Sequence, residues 1–431
     1  MVSMSLRRAI LRLSGGRELS ALGDQALVSG ANFATNVILA RVLGVREYGV
    51  FALSWMALLF VSSLQWAFIV SPMMSVGPKQ EQHNRPSYYG AVLVQQIAFA
   101  ALSVAGMLIA LRFSILHFPK WNIQGLALSL SFATFSYLLQ DFIRRYFFSV
   151  GRSMFALICD AISYLTQIPI ILLVAHRPYF SPSLALWIIG ATSLVSFMAG
   201  WIWFEPVKFG ITALKEVALR HWKISRWLAP SAFMQWSSGN LFIVAAPLYY
   251  GAAAAGVLRS AQNIGGVAHI WFLGLDNVVP AEAARRMHNQ GLDAAFSYIK
   301  QIVFRWGLIT LGFVLIISLR PGFWLKLVYG SQYAGYGYIL QLYALLYLMT
   351  FFAGPLRAGL QALEYTAPIF WSYSAMTIFS LALAGPFTRL LGLRGAMLGM
   401  IATQFLFQCV VGIGLVLRVR KMRHRLLSPQ L

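Results

Sequence analysis

Apolar stretches of about 20 residues, each long enough to cross the hydrocarbon of a bilayer as a helix, follow one another along nearly the whole chain. They fall near residues 21–41, 50–72, 88–111, 124–143, 154–175, 183–204, 227–249, 255–279, 299–319, 335–355, 367–387 and 394–417. The 431 residues are 59% hydrophobic and 11% charged, where a soluble domain carries about a quarter charged. No water-soluble fold can hide that much apolar surface. The chain is therefore expected to be an all-α integral membrane protein with about twelve transmembrane helices.

A net charge of +22 would suit a nucleic-acid partner, but the basic residues lie between the apolar segments and at the termini, as topology signals do. One side collects Arg7, Arg8, Arg12, Arg17, Lys79, Arg85, Arg144, Arg145, Arg152, the run from Lys208 to Arg226, Arg285, Arg286, Lys300, Arg357 and the tail "LRVRKMRHR" with Arg425. The other side is sparser, with Arg41, Arg46, Arg112, Lys120, Arg177, Arg320, Lys326, Arg389 and Arg394. By the positive-inside rule both termini are expected in the cytoplasm, with residues 1–20 lying against anionic membrane lipids. Cys159 and Cys409 sit far apart in apolar segments, so no disulfide framework is implied. All loops but one are short, no G-x-x-x-x-G-K-[ST] phosphate loop occurs, and no catalytic, cofactor or metal motif stands out.

The long connection, residues 205–226, divides the spans into two groups, 21–204 and 227–417, with a basic tail at 418–431. The groups echo one another. "ARVLGVREYGVFAL" holds Gly44 and Gly49 in the turn between the first two spans, and "APLYYGAAAAGVLR" holds Gly251 and Gly256 in the corresponding turn, 207 residues on. Arg145 and Arg357, 212 residues apart, form a second echo. Two bundles of six helices related by a pseudo-two-fold are expected, with a substrate path between them. Glycines in such turns supply the positive φ the chain needs.

Polar residues inside the spans mark where that path would run. Gln25, Ser29, Asn32 and Asn36 are spaced 4, 3 and 4 and share one helix face. Ser231, Gln235 and Ser238 overlay the first three at an offset of 206. Such a stripe either packs helices together through hydrogen bonds or lines a wet cavity, and its recurrence in both halves favours the cavity. Among ionisable residues, Asp160 is the deepest carboxylate and is a candidate ion-coupling group or a structural partner of nearby Ser and Gln. Asp24, beside Gln25, is expected at the inner mouth of the cavity, while Asp276 reads as a solvated helix end and Asp141 with Arg145 as an i, i+4 pair. Arg259, followed by Gln262, either snorkels to the headgroups or points into the cavity mouth. Trp66, Trp236 and Trp271 suit packing or stacking on sugar rings.

The stretch "DQALVSGANFATNVILARVLGVREYGVFALSW", continued by "QWAFIVSPMMSVGPKQ", together with "GAAAAGVLRSAQNI", resembles the polysaccharide-export branch of the multidrug/oligosaccharidyl-lipid/polysaccharide (MOP) flippase superfamily. The resemblance implies a V-shaped pair of six-helix bundles that carries a polyprenyl-pyrophosphate-linked glycan across a bacterial inner membrane, for surface or exopolysaccharide synthesis. It implies a cation contacting the pyrophosphate, at the turn position Arg41 or at Arg259, and a polysaccharide polymerase or ligase as a partner. Arg41 lies about 160° around the helix from the start of the stripe, which suits the interface better than the cavity. A multidrug/cation antiporter of the same superfamily is the main alternative. A major-facilitator transporter is disfavoured because "SVGPKQEQHNRPSYYG" lacks the G-x-x-x-D-R-x-G-R-[KR] loop pattern. A membrane glycosyltransferase is disfavoured because the outer loops are short and poor in carboxylates.

Overall fold

The computed structural model describes residues 4–117 and 125–427, and among them the chain is helical with no strand. Lys120 and the ends of the basic termini, 1–3 and 428–431, lie outside the described residues, as do the side chains of Arg7, Arg8, Arg12, Arg17 and Arg425. The chain forms two compact units, Met1–Phe233 and Met234–Leu431.

The first unit contains α1 (Met4–Gln65), a π-turn (Trp66–Val70), α2 (Ser71–Val76), α3 (Arg85–His117), α4 (Ala127–Ser149), α5 (Ser153–Val174), α6 (Pro182–Trp201) and the start of α7 (Ile211–Tyr250). The second contains the rest of α7, then α8 (Ala252–Gly265), a 3-10 turn (Gly266–Ala268), α9 (His269–Gln290), α10 (Leu292–Leu319), α11 (Pro321–Tyr329), α12 (Gly337–Ala362) and α13 (Ala367–Leu427).

Among the described residues, eight segments are long and apolar enough to cross a membrane. Two of them, Gly23–Lys79 and Ala367–Arg423, run 57 residues, about 85 Å if straight, far beyond one bilayer crossing. Each breaks at a glycine with positive φ, Gly44 (φ 76, ψ 173) and Gly392 (φ 65, ψ −148), and so supplies two spans. The expected fourth and seventh spans, α4 and α7, are less apolar because one ends in Asp141, Arg144 and Arg145 and the other starts with the basic run up to Arg226. With these helices counted, each half supplies six spans, which is the fold class the apolar pattern implies.

In the first unit α4 packs closely on α6, where a side chain at Gly190 would meet the Phe132 ring at 2.6 Å and the Ala133 backbone at 3.0 Å. Small residues let membrane helices approach this way. In the second unit α12 is central and touches α8, α9, α10 and α13. The 205–226 connection is only partly irregular. Its first residues are held by the Lys208 amide donating to the Pro86 carbonyl (3.0 Å) and by Arg152 pairing with Glu205 (3.1 Å). From Ile211 it is already α7, because Leu214, Val217, His221 and Ile224 recur every three or four residues and cover an aromatic core that includes Tyr88, Tyr89 and Tyr146.

Candidate functional site

Helix α1 carries polar residues on two faces. Ser20, Asp24, Ala31 and Thr35 fall within about 60° of one another and are buried. Ser20 and Ser153 share a hydrogen bond of 2.6 Å, and the Gln167 amide donates to the Thr35 hydroxyl at 3.0 Å, so this face is bound to α5. The stripe of Gln25, Ser29, Asn32 and Asn36 lies about 120° further round and is more open: Gln25 and Ser29 are exposed, Asn32 and Asn36 half-buried. Along it the Gln25 amide donates to the Ser29 hydroxyl (3.2 Å), and the Asn36 amide donates to the Asn32 carbonyl (2.8 Å). The Tyr48 hydroxyl crosses the Gly44 turn to donate to Asn36 Oδ1 at 2.9 Å.

The buried face leads to a charged cluster. Arg144, near the end of α4, places Nη2 2.5 Å from Asp24 Oδ2 and Nε 2.7 Å from Asp160 Oδ2. Asp24 and Asp160 are 0% and 1% exposed. The Gln140 amide donates to Asp160 Oδ1 (3.2 Å), and Ser163 donates back to Gln140 Oε1 (3.1 Å), fixing both from α4 and α5. Asp141 stands at the rim, 3.9 Å from Arg144 and 3.3 Å from Arg145, the i, i+4 pair its spacing implies. Two interior carboxylates thus share one interior guanidinium, and Asp24 Oδ1 receives no hydrogen bond among the described residues. Isolated charge is costly at such depth, so the cluster is electrically balanced when it holds one proton and carries one net negative charge when it does not.

Asp24 is therefore not at a cavity mouth beside Gln25 but inside the packed face of its helix, because the residue after it lies 100° away. Sequence reasoning missed Arg144, which reads as one more basic topology signal. The trace that could have found it is Gln140 and Arg144, one turn apart on α4, on the face opposite solvent.

The turn glycines behave alike. Gly44 has φ 76 and ψ 173, Gly251 φ 73 and ψ 176, while Gly49 and Gly256 are helical and buried. On α7, Ser231 donates to the Trp227 carbonyl and Ser238 to the Gln235 carbonyl, both at 3.0 Å; Gln235 is exposed and Ser238 buried.

In the second unit Arg259 donates to Gln262 Oε1 at 2.8 Å and is half-buried, and the Tyr347 hydroxyl donates to the Gln262 carbonyl at 3.1 Å. Asp276, expected as a solvated helix end, is exposed and pairs with Arg357 at 2.8 Å beside a cavity of about 250 Å³ that His269, Phe272 and Thr350 also line. The Arg145 echo has a counterpart here: Arg145 lies over the Trp66 ring at 4.7 Å, so in each unit this arginine reaches from one helix to the helix two spans earlier. Cys159 and Cys409 are free thiols.

No protein-family profile and no curated protein matches this chain. Solved structures do. An inward-facing multidrug resistance MATE family transporter of the MOP superfamily superposes with a TM-score of 0.69 at 14% identity, covering 94% of this chain and 96% of its own. The lipid II flippase MurJ, in an inward closed conformation, gives 0.67 at 14% identity, covering 93% of this chain and 86% of its own. A MOP superfamily transporter from Pyrococcus furiosus Vc1 (DSM3638), whose reversed pocket polarity was taken to suggest a different function, gives 0.60 at 14% identity, covering 96% and 95%. This multi-pass membrane chain has the all-helical fold of the MOP superfamily transporters.

Proposed function

We propose that the chain is a secondary transporter that flips a polyprenyl-pyrophosphate-linked glycan across the bacterial inner membrane, with both termini cytoplasmic. The observation that carries an ion-driven cycle is the Asp24–Arg144–Asp160 cluster. When the cluster holds a proton, Arg144 is balanced by a single carboxylate. When it releases the proton, both carboxylates draw on the same guanidinium and pull α1 and α5 toward α4. A change of helix packing tied to proton occupancy is what alternating access needs. The glycan cargo is supported by the sequence resemblance to the polysaccharide-export branch and by the likeness to a lipid II flippase.

On this reading the stripe of Gln25, Ser29, Asn32 and Asn36, with Ser231, Gln235 and Ser238, faces the cargo path, Arg259 meets the pyrophosphate, and a polysaccharide polymerase or ligase takes the delivered product. Gly44 and Gly251 are the pivots of the two related hairpins.

The test is translocation of a short polyprenyl-pyrophosphate glycan in proteoliposomes under an imposed pH gradient. Gradient-dependent movement that Asp160→Asn abolishes is expected. Movement no faster than in empty vesicles would overturn the flippase reading. The same cluster favours one other reading, a multidrug/cation antiporter, which drug-driven proton release without glycan movement would select.

A further inference from the structure

Helix α10 carries a cation where its sequence is otherwise most apolar. Arg305 is followed by Trp306–Leu319, a run without a charged residue that ends at Arg320. Those residues rise about 21 Å at 1.5 Å each, short of the roughly 30 Å of hydrocarbon a span must cross. With Arg320 at one boundary, the other falls near Lys300, and the backbone of Arg305 lies about 7 Å inside it.

Arg305 also stands in the middle of the helix face that the rest of its unit leaves uncovered. The opposite face, through Ile299, Thr310, Val314 and Ile317, is buried against α9 and α12. Gln301, Leu308, Ile309 and Ile316 lie within about 60° of Arg305, and all are exposed; Leu308, Ile309 and Ile316 are 50–54% so. No hydrogen bond or ion pair reaches Arg305 among the described residues. The nearest carboxylates in sequence are committed elsewhere, Asp293 to Arg423 and Glu282 to Arg285 and Arg286.

A lone guanidinium on an apolar, uncovered face needs an anion from the medium around it. Side chains on a helix lean toward its N-terminus, so the Arg305 stem points down the helix toward Lys300 and the nearer interface. A side chain of its length spans the 7 Å to headgroup level. There its planar fork matches two oxygens of a phosphate. Gln301, one turn below on the same face, adds a donor at that level.

We infer that Arg305, with Gln301, forms a docking site for the headgroup phosphate of an anionic phospholipid on the outer surface of α10. The site is independent of what the chain transports. Its net charge of at least +1 selects an anionic headgroup over a zwitterionic one.

The full-length chain in phosphatidylcholine nanodiscs doped with phosphatidylglycerol provides the test, read as lipid adducts by native mass spectrometry. Wild type should retain one more phosphatidylglycerol than Arg305→Gln, whose affinity should fall about fivefold. Arg305→Lys, which keeps the charge, should retain it. Because Arg305 pairs with nothing among the described residues, Arg305→Gln should unfold at the wild-type temperature in lipid-free detergent. Equal retention by wild type and Arg305→Gln would overturn the inference. So would Arg305→Cys, in a background lacking Cys159 and Cys409, reacting with a water-soluble thiol reagent as fast as an exposed loop cysteine. A third arm needs no variant: wild type that takes up phosphatidylglycerol no better than phosphatidylcholine would also overturn it.

Discussion

Arg144 and Asp24 meet at 2.5 Å although 120 residues separate them, and the same guanidinium stands 2.7 Å from Asp160. One side chain from α4 thereby joins α1 and α5, and among the described residues Arg144 is the cation paired with both carboxylates.

Removing that cation leaves both carboxylates uncompensated. Arg144→Leu should destabilise the chain by about 3–5 kcal/mol, seen as an early thermal transition in detergent. Adding Asp24→Asn and Asp160→Asn to that background should restore much of the loss. If the triple variant melts with the single one, the cluster is not the cause.

Glycines at the two turns and inside α1 should respond to alanine with opposite signs. Gly44 needs φ 76, so Gly44→Ala should cost about 1–2 kcal/mol, and Gly251→Ala, at φ 73, the same. Gly30 is helical with open space where a methyl group would go, so Gly30→Ala should stabilise by about 0.5–1 kcal/mol. Denaturation midpoints of the three variants in one detergent decide it.

Gln65 and Gln96 are both buried, and both donate to the Leu138 carbonyl, at 2.7 and 3.2 Å, while Gln65 also donates to Gln96 Oε1 at 3.0 Å. Gln65→Leu or Gln96→Leu alone strands a polar partner and should cost about 1–3 kcal/mol. The double variant should cost clearly less than the two together. Additive losses in the double-mutant cycle would mean the amides act separately.

His221, outside the membrane-spanning part of α7, is buried with its Nε2 3.0 Å from the Tyr88 hydroxyl. Burial, helped by the charge of neighbouring Arg220, pushes its pKa down to about 4. The folded chain holds the imidazole neutral, whereas the unfolded chain takes up a proton below its ordinary value of about 6.5. Its contribution is therefore complete above about pH 6.5 and is lost as pH falls toward 4, at up to about 1.4 kcal/mol per pH unit. His221→Gln should flatten that part of the stability profile; an unchanged acid slope would assign it to other groups.

The spans were legible because burial in lipid imposes one composition on every crossing helix, and the Gly44 and Gly251 turns because only glycine takes their φ without strain. The exposed stripe of α1 was legible because amides stand out in an apolar helix. Its second polar face was not, since Ser20, Ala31 and Thr35 are small residues that pass for packing. Arg144 was hidden for a different reason: an arginine at a helix end has the same local signature whether it meets water or two interior carboxylates. Only contacts across 120 and 16 residues distinguish the cases.

The turn at Gly44 joins two long helices through a single residue outside helical geometry. A linkage that short has no slack. The helices before and after it cannot slide lengthwise past one another, because no spare chain exists to feed such a shift. Their relative motion reduces to a pivot about two backbone torsions, with the Tyr48–Asn36 bond as a strut across the hinge. The first hairpin can open or close like calipers, but it cannot telescope.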